Sequence, residues 1–127
     1  METFCRIRTI YRTIAEFEVR FEKMHHLGFN EGMLLCTLSE VEKLSSGDIA
    51  GQLGLTPSNA SKVIKSVEKK GWVRRILGND DKRQMYFSLT EKGREQLKEI
   101  ACSEIEIPEL LKLLLKEEEG LAKPERK

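Results

Sequence analysis

The chain has 127 residues, 34% of them charged and 6% aromatic, with a formal net charge of +1. This length holds one core but not a core plus a separate catalytic domain, and no apolar run approaches the roughly 20 residues that span a bilayer, so a soluble, helix-rich chain is expected. The charge is uneven: residues 45–94 hold ten Lys/Arg against five Asp/Glu, net +5, while residues 1–44 carry −1 and residues 95–127 carry −3, which gathers positive potential on the middle of the chain.

In the first predicted helix Phe4, Ile7, Tyr11, Ile14, Phe17 or Glu18, Phe21 and Met24 recur every three or four residues, with Ile10 alongside. A seam of period near 3.5 over six turns favours association with a helix of another chain over docking on this chain's own core, which stays the alternative. Gly28 suits the C-terminus of this helix and Asn30 the cap of the next, which is predicted from about Glu31 to Leu44 with Leu34, Leu35, Leu38 and Val41 inward and Met33 and Cys36 flanking.

Ser45-Ser46-Gly47-Asp48 opens a short helix, Ile49 to Leu53, with Ile49, Ala50 and Leu53 inward and Gly54 as its stop. Thr56 then caps a further helix, Pro57 takes its first position, and Gly71 ends it after Lys70. Its apolar stripe is Ala60, Val63, Ile64 and Val67, which leaves Ser58, Asn59, Ser61, Lys62, Lys65, Ser66 and Lys69 facing outward. Short donors near a helix N-terminus, with lysines close by, are what a helix entering the DNA major groove needs. The competing reading is a merely solvated helix face.

Residues 72–77 and 84–89 read as two strands of a hairpin joined by Gly78-Asn79-Asp80-Asp81-Lys82-Arg83. From Thr90 a helix follows with Leu97, Ile100, Ala101 and Ile105 as its stripe, interrupted at Pro108. Beyond it, residues 109–115 are apolar on nearly every side, a segment that wants a partner, and residues 119–127 read as a frayed tail.

The run D-x-R, five residues, L-T-x-x-G, here Asp81, Arg83, Leu89, Thr90 and Gly93, placed after a helix-turn-helix, resembles the MarR family of bacterial transcription regulators. The resemblance runs in detail from Leu27 to Gly93, and the flanking helices share it only in kind. It implies a mainly α fold with a small β-hairpin wing: one domain over residues 1–127, with residues 28–93 the winged helix-turn-helix and residues 1–27 and 94–118 the dimerisation helices. By the same resemblance Arg83 reads the minor groove, whose negative potential attracts Arg when it is narrow, and Asp81 steadies it. Ser58, Asn59 and Lys62 are the candidate base contacts, and Ser61, Lys65, Arg74, Arg75 and Lys82 the candidate phosphate contacts. The implied partners are double-stranded DNA, a second copy of the chain and a small-molecule effector between the dimerisation helices and the reading heads. Since the first helix starts almost at Met1 and Pro108 shortens the last, the dimer interface is expected to differ from the family's usual one.

Other chemistry finds less support. No nucleophile with a nearby base, paired carboxylates or phosphate loop is visible, and Gly51-Gln52-Leu53-Gly54 lacks a Walker lysine, so an enzyme is not expected. Neither a metal nor another cofactor is expected: His25, His26 and Cys36 with Glu22 or Glu31 are weak candidates, because adjacent helical histidines diverge by about 100°. Cys5, Cys36 and Cys102 are an odd set without CxxC, and the start has no apolar signal segment, which suits a reducing cytoplasm. Two alternatives remain, a redox-sensing regulator using Cys5 and Cys102, as some family members do, and a winged helix used for protein contact.

Overall fold

The computed structural model describes residues 2–78, 84–102 and 108–120. Its elements are α1 (Glu2–His25), α2 (Phe29–Ser39), β1 (Leu44–Ser45), α3 (Ser46–Leu53), α4 (Pro57–Lys69), β2 (Val73–Leu77), β3 (Met85–Leu89), α5 (Glu91–Cys102) and α6 (Glu109–Gly120). They fall into two units, α1 with α6, and α2 to α5 with the three strands.

In the larger unit α2 lies at the centre and packs against α3, α4 and α5. Leu34, Leu35 and Leu38 of α2, Ile49 of α3 and Val67 of α4 are fully buried, and Ala60, Ile64, Trp72, Val73, Phe87 and Leu89 close the core around them. Each fully buried aliphatic side chain contributes about 1.5–3 kcal/mol relative to exposure. The sheet is antiparallel in the order β1-β3-β2. Leu44 pairs with Phe87, and the hairpin pairs Val73 with Leu89, Arg75 with Phe87 and Leu77 with Met85. Its mouth is held by the Gly78 N–H donating to Gln84 O at 2.9 Å.

Besides the start of α3, which is Ser46 and not Ile49, three boundaries depart from the sequence reading by more than one residue. The left-handed residue after α1 is His26 (φ 57°), not Gly28, and its N–H returns to Glu22 O at 2.9 Å; histidine is one of the side chains that tolerate this region. Asn30 lies inside α2, which starts at Phe29. That helix stops at Ser39, whose hydroxyl donates to Cys36 O at 2.6 Å, and Leu44, predicted helical, becomes β1. A two-residue strand is too short to show alternation, and only its pairing with β3 defines it. Cys36 is exposed, and Val41, assigned to the inward face, lies exposed beyond the helix end.

The smaller unit sets α6 against α1. Along α1, Phe4, Ile7, Tyr11 and Ile14 are exposed, Phe4 and Tyr11 at 74% and 77%, and Phe21 is buried with its ring 4.8 Å from that of His25. A cavity of about 410 Å³ opens beside Cys5, Thr9, Ile10 and Leu110, on a different side of α1 from the exposed seam, while Leu113, Leu114 and Leu115 of α6 are exposed. Among the described residues no helix is long and apolar enough to cross a membrane.

Candidate nucleic-acid interface

Two caps fix the helix-turn-helix. At α3 the Ser45 hydroxyl accepts from the Asp48 N–H (3.1 Å) and the Ser45 N–H donates to Asp48 Oδ2 (3.3 Å), a reciprocal capping box. Gly54, at φ 66°, ends the helix, and the Leu55 N–H closes back on Ala50 O at 2.9 Å. Two residues later the Thr56 hydroxyl accepts from the Asn59 N–H at 3.1 Å, with Pro57 in the first turn of α4. The turn is therefore short and specified at both ends, which holds α4 across α3.

Ala60, Ile64 and Val67 bury one side of α4, with Val63 half-buried beside them. Ser58, Asn59, Ser61, Lys62, Lys65 and Lys69 are exposed on the other, as their helical phase requires. Ser66 departs from the sequence reading: it is half-buried, and its hydroxyl donates to Glu31 Oε2 at 2.8 Å. Lys70 Nζ also donates to Glu31, at 3.0 and 2.8 Å, and sits 4.9 Å from the Trp72 ring centroid. Glu31 is only 9% exposed. Its carboxylate thus joins α2 to the C-terminal end of α4, a role the sequence reading missed because the partners lie 35 and 39 residues away.

On the hairpin, Arg74 is exposed. Arg75 pairs with Glu68 of α4, Nε to Oε2 at 2.5 Å and NH2 to Oε1 at 3.1 Å, and its guanidinium lies 5.7 Å from the Phe87 ring centroid. The hydrogen bond and the charge of Glu68 raise the Arg75 pKa above its ordinary value. Asp81, Lys82 and Arg83, the wing tip of the sequence reading, lie outside the described residues.

The L-T-x-x-G run anchors the base of the wing. Thr90 donates its N–H to Trp72 O (3.0 Å) and its hydroxyl to Gly71 O (2.7 Å), and the hydroxyl accepts from the Gly93 N–H (3.0 Å). One side chain therefore caps α5 and ties it to the residues before β2. Gly93 is required by close approach, since a Cβ there would stand 2.2 Å from Trp72 O and 2.7 Å from Leu89 Cδ1.

The other candidates gain little. Among the described residues no three His, Cys, Asp or Glu side chains cluster as a metal site. Cys5 is exposed, and the side chain of Cys102 lies outside the described residues.

The sequence model of the MarR family matches residues 29–85, from the start of α2 to the first residue of β3. Transcriptional repressor MprA of Escherichia coli K12 is 33% identical over 87 residues, which cover 65% of this chain and 49% of MprA, so the match spans about half the length of that relative. Among solved structures, the transcriptional regulator BldR from Sulfolobus solfataricus is 30% identical, with 94% of each chain covered and a TM-score of 0.70. A MarR mutant from E. coli, solved in complex with operator DNA, shares the fold at 16% identity, with a TM-score of 0.71 over 91% of this chain and 94% of that one. The capped helix pair, the hairpin closed by Leu89-Thr90 and Gly93, and these matches together make the chain a member of the MarR family of winged-helix transcription regulators.

Proposed function

We propose that this chain is a cytoplasmic, non-enzymatic transcription regulator that binds double-stranded DNA as a homodimer, one recognition helix per half-site of a pseudo-palindromic operator, and acts as a repressor. The observation that carries the reading is the exposed face of α4, where Ser58, Asn59, Ser61, Lys62 and Lys65 stand over a capped N-terminus. Ser58, Asn59 and Lys62 are the base contacts, and Ser61, Lys65, Arg74 and Lys82 hold phosphates. Arg83, steadied by Asp81, enters the minor groove. Short side chains let the helix approach base edges, and the lysines release counterions from the backbone. The homodimer is supported by the exposed apolar seam of α1 and by the exposed Leu113, Leu114 and Leu115, because apolar side chains grouped at the surface mark interaction sites. A small-molecule effector that changes the spacing of the two recognition helices would relieve repression.

Selection of the purified protein against a random duplex library tests the reading. Enrichment of an inverted repeat with half-sites about 34–36 Å apart is the expected result; salt-sensitive binding with no enriched sequence would replace it with a nonspecific or protein-binding winged helix. About four phosphates neutralised per subunit give a log-log salt slope near −7. Arg83→Ala should weaken binding while the dimer stays folded, and unchanged affinity would remove the wing from the mechanism.

A further inference from the structure

We infer that the Glu68–Arg75 pair is an alignment brace between the recognition helix and the wing, and that Arg75 is a positioning residue and not a phosphate contact. The inference rests on the DNA-binding reading above. Adjacent residues of a strand point to opposite faces of a sheet, so Arg74 and Arg75 cannot both face the same phosphate track. Arg75 shares its face with the buried Val73 and lies across from Phe87, itself buried and paired with Leu44 of β1. Its guanidinium rests near the Phe87 ring and meets both carboxylate oxygens of Glu68. A bidentate fork constrains direction as well as distance, and a lysine could not reproduce it. The contact joins α4 to β2, the strand that leads to the wing tip.

The opposite flank of α4 is held separately. Glu31 of α2 receives Ser66 and Lys70 there. Two carboxylates therefore fix the C-terminal half of this helix, one to α2 and one to the hairpin, whereas Lys62, Lys65 and Lys69 carry no ion pair or hydrogen bond to described residues. A head that must seat a helix in the major groove and a hairpin tip in the minor groove at once gains affinity when the two are set at one angle before contact. The side chains of Arg75 and Glu68 are 49% and 26% exposed, and a pair so open to water contributes little to folding stability. Its removal should register in binding more than in melting temperature.

The sign of one substitution separates the brace from plain electrostatics. Glu68→Gln removes a negative charge beside a polyanion and frees Arg75, so a merely electrostatic role predicts tighter binding. The brace predicts weaker binding. The experiment is fluorescence anisotropy on the duplex recovered by selection, over a range of salt, with the parent protein, Glu68→Gln, Arg75→Gln and the double variant, each checked for its fold by circular dichroism. The expected result is a loss of about three- to tenfold for either single variant, a double variant no weaker than the worse single, and an unchanged salt slope. The charge-swapped pair, Glu68→Arg with Arg75→Glu, should recover part of the loss at the parent's net charge, a rescue that lost stability alone would not give. Binding by Glu68→Gln as tight as the parent's or tighter, or a slope shallower by about 0.9 for Arg75→Gln as expected of one lost phosphate contact, would overturn the brace and leave the DNA-binding reading standing. A parent protein that binds no duplex from the library removes that reading and the brace with it.

Discussion

Glycine 93 and glycine 51 show how one residue type serves two ends. Any side chain at position 93 collides with the Trp72 carbonyl, which belongs to backbone and cannot rotate away. Gly93→Ala should therefore destabilise the chain by about 2–4 kcal/mol, at or above the upper end of ordinary overpacking, and lower the thermal midpoint by roughly 3–6 °C per kcal/mol. Gly51, on the exposed side of α3, has nothing within 4 Å of where its Cβ would be. Gly51→Ala should instead stabilise by about 0.5–1 kcal/mol, because alanine loses less conformational freedom in a helix. Thermal denaturation followed by circular dichroism decides both, and a neutral Gly93→Ala would mean that α5 moves off Trp72 without cost. The run L-T-x-x-G was legible in the sequence as a pattern. Its reason was not, since the Trp72 carbonyl that excludes a side chain at position 93 is 21 residues away along the chain.

At the scale of elements, the stop and start of the helix-turn-helix at Gly54, Thr56 and Pro57 were legible, whereas the stop read at Gly28 and the cap read at Asn30 were not found there. Ser45, Asp48, Gly54, Thr56 and Pro57 act through bonds that span at most five residues, so local sequence suffices to place them. Thr56→Ala should cost about 1 kcal/mol of stability, and Thr56→Ser, which keeps the hydroxyl, should restore most of it; equal melting curves for Thr56→Ala and the parent would show the cap to be dispensable. Other boundaries depended on distant partners. The end of α2 at Ser39 and the existence of β1 follow from Leu44 meeting Phe87, and the half-burial of Ser66 follows from Glu31. Helical phase alone put Ser66 on the outer face, because phase reports direction around one axis and not what stands beside it.

For the molecule as a whole, the exposed seam Phe4, Ile7, Tyr11 and Ile14 carries the assembly prediction. Ile7→Glu combined with Tyr11→Glu should shift the protein from dimer to monomer in sedimentation experiments and cut affinity for a two-half-site duplex by at least a hundredfold, since each head then binds alone. A double variant that still sediments as a dimer would assign the interface to other residues, with Leu113, Leu114 and Leu115 of α6 next in line.

The sequence by itself determined the order of helices, the turn between α3 and α4, the hairpin and the polar, basic outer face of α4, because periodicity, capping and turn chemistry act over a few residues. Only the tertiary structure decided which charged side chains are committed to the fold. Lys62 and Lys65 are exposed, while Lys70 and Arg75 are held by Glu31 and Glu68. Those four cations look alike in the sequence, and the difference arises from packing that brings α2 and β2 to opposite flanks of one helix.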